Sequence, residues 1–467
     1  MDSLFPQGEI LFDTRQGHPL LKRRSALFRI RARRKIAGAD DCYCAGAGYS
    51  DFMSEISINS ASLREAGRRA CDRPYTEIID IIDQWAAAWE DPAFPPWKQV
   101  RDQAGTNHLI DHAILTLCRS AREEHVWQLI GEQVGDVKEL PGLAPRAAGG
   151  WRLARGYPLV GVFLGGGAWL ASWPVFLLAI IARSAVYARM SEAEQFWPAL
   201  FQSSLALIDP DLAGTIDTGH WPSRDTDRHD ELCRTADLIL AYGSDETITS
   251  LRTRVPASTP FMGFGSRLSA AVVDRDAALD DTARKAANDI ALYDQSGCLS
   301  PQTILVEGPA ARGREFAIAL DRELEAATRD WPADGQTPGQ KMAIRTARDL
   351  ISMEEGGLAL GPPDLRWSVL FSLAGRFELS PMGRVAGVRV YESDADLESL
   401  LAPWEGMLQA VGVGSSNAIR RLTPILAGAG ATRICPIGEM QFPRLSWSHD
   451  GRAILTSLIR WLDVDAP

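Results

Sequence analysis

Between Gly156 and Ala182 the chain carries no charged residue, and this stretch constrains the fold more than any other. A bilayer span takes about 20 apolar residues, so the length alone permits a membrane helix. Gly165, Gly166 and Gly167 near its middle, and Pro174 beyond them, argue for division instead. Division predicts a buried strand over residues 159–164, a glycine turn, and a buried helix over 169–182. The same order then repeats. Residues 185–188, 214–217 and 238–242 read as strands, with helices over 192–208 and 226–236 between them. Strands spaced by such helices form a parallel sheet covered on both faces, wound by right-handed crossovers. The expected class is α/β with a doubly wound sheet.

A chain of 467 residues exceeds one ordinary core and implies two or three domains. A net charge of −11 argues against a nucleic-acid partner. The basic cluster from Lys22 to Lys35 is the exception, and a solvated tail is its plainest account. Residues 1–60 lack periodicity and are expected to be an appended, partly mobile arm. Seven scattered cysteines, with no matched metal-binding pairs, fit a reducing cytoplasm. The first residues, Met-Asp-Ser-Leu-Phe-Pro, lack a basic-then-apolar leader. From Tyr75, helical spacing of Ile78, Ile82, Trp85 and Trp89 predicts an amphipathic helix, closed by Pro92 and Pro95. A second helical stretch runs over 108–133. His108 and His112 are four residues apart but lack the glutamate of a zinc-binding pattern, and no metal site is expected.

The chemistry is best placed at Cys298. A helix over 280–293 precedes it, and the apolar run Thr303-Ile304-Leu305-Val306 follows as a core strand. A thiol on a short loop between two rigid elements suits a nucleophile, although free cysteine is more often a small buried hydrophobe. Gly165-Gly166-Gly167 follows a strand and opens a helix, so its N–H groups either meet a phosphate or form a close turn. Gly243 and Ser244 follow the 238–242 strand and suit the pyrophosphate side of a dinucleotide.

The segment Tyr293-Asp-Gln-Ser-Gly-Cys298-Leu-Ser-Pro-Gln-Thr-Ile-Leu-Val-Glu307 resembles the active-site cysteine segment of the LuxC-type acyl-CoA reductases. These are fatty-acid reductases of the aldehyde dehydrogenase superfamily. Three more segments fit that family in order: Tyr242 to Ile248, Leu408 to Gly412, and Arg433 to Gln441 followed by Trp447-Ser448-His449-Asp450-Gly451. The resemblance implies an aldehyde dehydrogenase-like pair of α/β domains. One, over 61–260, would bind the dinucleotide, with 420–467 returning to it. The other, over 261–419, would carry the cysteine. It implies that Cys298, as thiolate, takes the acyl group from acyl-CoA or an acyl-carrier thioester, and that hydride from the cofactor then releases an aldehyde. Such chemistry needs a lowered thiol pKa, which backbone dipoles at the turn could supply.

Two positions depart from the family pattern. Gly167 stands where an asparagine amide usually helps bind the oxyanion. Arg189 stands where a lysine usually contacts the adenosine ribose, and its bidentate guanidinium suits a 2′-phosphate and therefore NADPH. The water-activating glutamate of hydrolytic relatives is absent from Gly263-Phe264-Gly265-Ser266-Arg267-Leu268, which agrees with a reductase, since a reductase has no need of that base. His449 is a proton donor by type but also reads as a loop histidine. An acyltransferase that keeps Cys298 without the cofactor, and a non-catalytic partner protein, are the rival readings. An acyl-donor protein and a homo-oligomer remain open as partners.

Overall fold

The computed structural model describes residues 59–465 except 136–142, 146–148, 167–168, 192–194, 332, 334–335 and 376–378. The expected N-terminal arm, apart from its last two residues, and Gly167 lie outside the described residues. In chain order the strands are β1 (Leu143–Pro145), β2 (Trp151–Gly156), β3 (Leu159–Phe163), β4 (Ala185–Met190), β5 (Ile216–His220), β6 (Leu238–Tyr242), β7 (Phe261–Phe264) and β8 (Leu268–Val273). They continue with β9 (Pro301–Glu307), β10 (Leu358–Leu360), β11 (Ser368–Phe371), β12 (Val385–Tyr391), β13 (Leu408–Val413), β14 (Arg433–Pro436) and β15 (Ile459–Val464).

Alternation within each strand builds the first sheet. Val160 and Val162 of β3, with Leu238 and Leu240 of β6, face a core shared with helices Tyr75–Trp89, Ser172–Ile181 and Phe196–Ala206. Leu159, Phe163, Ile239 and Ala241 face the other side, against Leu63, Leu232 and Leu251 of three further helices. Both faces are covered, so β3 is buried along its whole length. The five strands run parallel in the order β5-β4-β3-β6-β7. The uncharged stretch therefore divides as expected into strand, turn and helix. Among the described residues no helix is long and apolar enough to cross a membrane.

A seven-stranded sheet has the order β10-β11-β12-β9-β8-β13-β14, parallel except for β10. Helices Leu279–Ala291 and Ala310–Asp330 cover one face, through Ala286, Ile290, Phe316 and Leu320. Helices Asp394–Leu401 and Ser416–Gly428 cover the other, through Leu397, Leu401, Leu422 and Leu426. A smaller antiparallel sheet, β1-β2-β15, joins the chain's last described strand to the entry of the first sheet.

Several boundaries differ from expectation for local reasons. The helical stretch over 108–133 divides into His108–Ser120 and Glu123–Gln133. Asp83, from helix Tyr75–Trp89, accepts the Glu123 N–H at 2.9 Å and pairs with Arg122, which caps a new helix instead of continuing the old one. The segment from Ser415 to Gly428 is helical but packs on the seven-stranded sheet, and β14 extends that sheet. The return to the first body comes later, through Ile454–Ser457 and β15. β7 likewise belongs to the first sheet.

Candidate active site

The loop carrying Cys298 begins where the Leu279–Ala291 helix stops. Tyr293, Asp294 and Gln295 take φ values of 62°, 50° and 61°, three consecutive left-handed residues without a glycine. Such residues persist only where tertiary contacts hold them. Gln295 is fully buried, donates to the carbonyls of Pro301 and Val385 at 2.9 and 2.8 Å, and accepts the Val385 N–H at 2.8 Å. Asp294 pairs with the buried guanidinium of Arg384, which also donates to Thr328 and the Trp331 carbonyl. The predicted helix therefore ends two residues early, because β12 captures its exit.

A second brace comes from the segment after β14. Asp289 accepts the N–H groups of Gly438 and Met440 at 2.6 and 3.2 Å. Gln441 donates to the Asp289 carbonyl and to Ser300 Oγ, both at 2.8 Å. Burial pushes the Asp289 carboxyl up to about 7, against these N–H donors that lower it. Ser269 of β8 donates to the Cys298 carbonyl at 2.7 Å. The cysteine thus sits at the N-terminal edge of β8 and β9.

Cys298 is exposed, whereas Cys71, Cys118, Cys233 and Cys435 are buried. The expected lowering of its pKa is not found. The density of protein around the loop pushes the thiol up to about 11, even though the cysteine itself is exposed. The charge of Asp450 adds to the rise, and a backbone hydrogen bond and Arg267 oppose it more weakly. The turn dipole is present, but burial outweighs it.

The surroundings of the thiol come from distant segments. Arg267 immediately precedes β8 and pairs with Asp450 at 3.2 Å. Tyr242, at the end of β6, stacks on Phe264 with ring centroids 4.6 Å apart and meets the His449 ring at 5.4 Å. Burial, then the charges of Asp450 and Cys298, raise the Tyr242 phenol and keep it protonated. His449 also touches Phe264 and Trp447, at 4.8 and 4.7 Å. This aromatic cage, with Arg267 and Arg452 nearby, pushes the imidazole down to about 4, so it is neutral at pH 7. The other segments singled out in the sequence therefore lie around the cysteine loop: Tyr242 feels the charge of Cys298, Gly438 and Gln441 brace the loop, and the Ala410 N–H donates to Ser269 Oγ at 3.2 Å. Residue spacing did not reveal Arg267, Asp289, Gln295 or Arg384 as supports of that loop. Their one visible signal was a polar type inside or beside an apolar element.

The remaining candidates gather at the C-terminal edge of the first sheet. The chain runs from β3 outward to β4 and β5, then returns to β6 on the other side, so the topological switch lies between β3 and β6. Gly165 follows β3 and Gly243 follows β6. A Cβ on Gly165 would come within 3.4 Å of the Tyr242 carbonyl, so the two turns adjoin. A Cβ on Gly166 would meet Ser191 Oγ at 2.9 Å. Ser244 caps helix Asp245–Arg252 by accepting the Thr247 N–H at 3.3 Å. Exposed glycines and a helix N-terminus at the switch point are what a dinucleotide pyrophosphate needs, so these residues fit that group. Arg189, at the end of β4, donates to the Trp221 carbonyl at 2.8 Å and to Ser223 at 3.3 Å. Among the described residues no cluster of three or more metal-ligating side chains occurs.

The family profile described as Acyl-CoA reductase (LuxC) matches residues 70–461. The chain belongs to this family. Two curated relatives are each described as a long-chain acyl-protein thioester reductase. The protein from Photorhabdus laumondii is 26% identical over 299 residues, covering 62% of this chain and 60% of its own. The one from Vibrio harveyi is 24% identical over 295 residues, covering 62% and 61%. The match thus spans about 60% of the length of these relatives. Among solved structures, an acetylating aldehyde dehydrogenase from Geobacillus thermoglucosidasius has a TM-score of 0.61 at 15% identity, covering 87% of this chain and 95% of that one. A NAD-dependent benzaldehyde dehydrogenase from Corynebacterium glutamicum has a TM-score of 0.63 at 16% identity, covering 87% and 89%. At such identity the likeness establishes the aldehyde dehydrogenase fold.

Proposed function

We propose that this LuxC-family protein reduces an acyl thioester, from acyl-CoA or an acyl-carrier donor, to an aldehyde with NADPH, through a covalent acyl-Cys298 intermediate. One observation carries the reading. An exposed cysteine at the edge of one parallel sheet and the glycine-lined switch point of another share Tyr242 as a neighbour: its carbonyl lies 3.4 Å from where a Gly165 Cβ would stand, and its phenol feels the charge of Cys298. The names of the curated relatives support the donor class.

Cys298, as thiolate, attacks the carbonyl carbon, and the carrier thiol leaves with a proton. The cofactor, when bound, supplies hydride to the acyl carbon. The resulting hemithioacetal collapses, releasing aldehyde and restoring the thiolate. Gly165, Gly166, Gly243 and Ser244 would hold the pyrophosphate. Arg189 stands at the end of β4, beside that edge, and would meet a 2′-phosphate by keeping or exchanging its bond to Ser223. The domain division belongs to the same proposal, with the first sheet binding the dinucleotide and the second carrying the cysteine. The Gly263–Ser266 stretch brings no carboxylate, and Asp450 is held by Arg267, which disfavours hydrolysis of the acyl-enzyme.

The test is incubation with a panel of acyl-CoA and carrier-bound thioesters, with and without NADPH. Aldehyde should form only with cofactor. Acylation of Cys298 without aldehyde, and without dinucleotide binding at millimolar concentration, would replace this reading with the acyltransferase.

A further inference from the structure

Four aromatic rings from separate segments meet beside the cysteine loop. Trp169 follows the glycine turn of the first sheet and stacks on Trp197, with ring centroids 4.5 Å apart. From the body of the second sheet it meets Tyr293 at 4.9 Å and lies nearly parallel to Trp331 at 6.3 Å. These are the separations of stacked and tilted ring pairs, which hold one another in place. Tyr293 belongs to the left-handed run before Cys298, and Trp331 follows the Ala310–Asp330 helix. The Arg384 guanidinium fixes both. It donates to the Trp331 carbonyl at 2.8 Å and to Asp294, next to Tyr293, at 2.7 Å. A Cβ on Gly297 would stand 3.7 Å from Tyr293 Cδ2, so the phenol ring packs against the residue beside Cys298.

Burial separates this cluster from the aromatic core. Trp85, Trp89 and Trp173 are fully buried, whereas Trp169, Tyr293 and Trp331 are each only partly buried. Large rings gain most from burial, so a half-covered group of three next to a thiol is surface for an apolar ligand. We propose that these three rings form the wall that receives the acyl group, and that the wall selects aryl acyl groups over saturated chains of similar apolar area. Area burial alone treats the two alike. Ring-on-ring contact adds an attraction that a saturated chain lacks. Rings fixed by one another and by Arg384 do not turn aside to fit a chain, so the preference is built into the fold. The inference rests on Cys298 as the acylated residue and names the acyl group that this residue takes.

The test measures affinity without chemistry. Cys298→Ala protein is titrated by calorimetry with phenylpropanoyl-CoA and with hexanoyl-CoA, whose acyl groups have similar apolar area. The aryl ligand should bind about two- to twelvefold more tightly. Equal affinities, a tighter hexanoyl ligand, or no binding of either at millimolar concentration would overturn the proposal. Trp169→Leu and Trp331→Leu, each in the same background, keep apolar bulk and remove a ring. Each should bring the ratio close to one and leave hexanoyl affinity nearly unchanged. Equal weakening of both ligands would show that the rings only hold the loop, and would also overturn it. Where a variant fails to fold, the Cys298→Ala ratio decides alone. Aldehyde formation by the unaltered protein is a separate readout, so the acyl preference can fail while the reductase reading stands.

Discussion

The left-handed run before Cys298 makes Gln295 the most informative residue to change. In Gln295→Ala the Val385 N–H loses its 2.8 Å acceptor and the Pro301 carbonyl its 2.9 Å donor. The Val385 carbonyl keeps a partner in Ser380 Oγ, at 2.6 Å. An orphaned buried N–H costs about 1–3 kcal/mol, and the lost carbonyl bond adds about 1. The space left by the amide adds a cavity cost, for a total of about 3–5 kcal/mol. Gln295→Gly removes the same amide but relieves the φ of 61°, which costs a non-glycine residue about 1–2 kcal/mol. The glycine variant should therefore be less destabilised than the alanine variant by about 1 kcal/mol, despite losing one more methyl. Urea titration of both variants, followed by tryptophan fluorescence, measures this difference. Acyl-thioester labelling of Cys298 should fall in both, since the loop loses its anchor to β12. A loss below about 1 kcal/mol in the alanine variant would show that the loop holds its shape without Gln295, and the clamp argument would fail.

Cys298→Ser should abolish acyl-thioester labelling, with Cys233 and Cys435 remaining unlabelled because they are buried; mass spectrometry after incubation reads both. Gly165→Val should weaken NADPH binding at least about tenfold in calorimetry and leave Cys298 acylation intact, because the added side chain meets the switch-point backbone. Arg189→Ala should narrow the preference for NADPH over NADH, and an unchanged ratio would remove Arg189 from the 2′-phosphate site. His449, held down to about 4, resists a proton that the unfolded chain accepts below about 6.5. Stability should therefore fall as pH drops from about 6.5 to about 4, by about 2–3 kcal/mol from this residue. The wild-type curve minus that of His449→Gln should show that loss, and a flat difference would refute it.

The sequence by itself determined the fold class and pointed to a candidate thiol. Strand and helix periods between Leu159 and Tyr242 select a doubly wound sheet, whereas Cys298 became the candidate through its loop between helix and core strand together with the family resemblance of its segment. The glycines at 165 and 243 were legible from the same periods, since each ends an apolar strand. Tertiary structure alone decided the state of the site. The thiol pKa moves up because burial and the charge of Asp450 outweigh the backbone hydrogen bond, and Asp450 comes from a segment far away in sequence. Helix ends at Ala291 and Ser120 were set by hydrogen-bond partners on other elements, Val385 and Asp83, which no periodicity within the helix reports. Periodicity records which face of an element is buried. It carries no information about which charge or hydrogen-bond partner the fold brings to that face, and the chemistry of Cys298 depends on those partners.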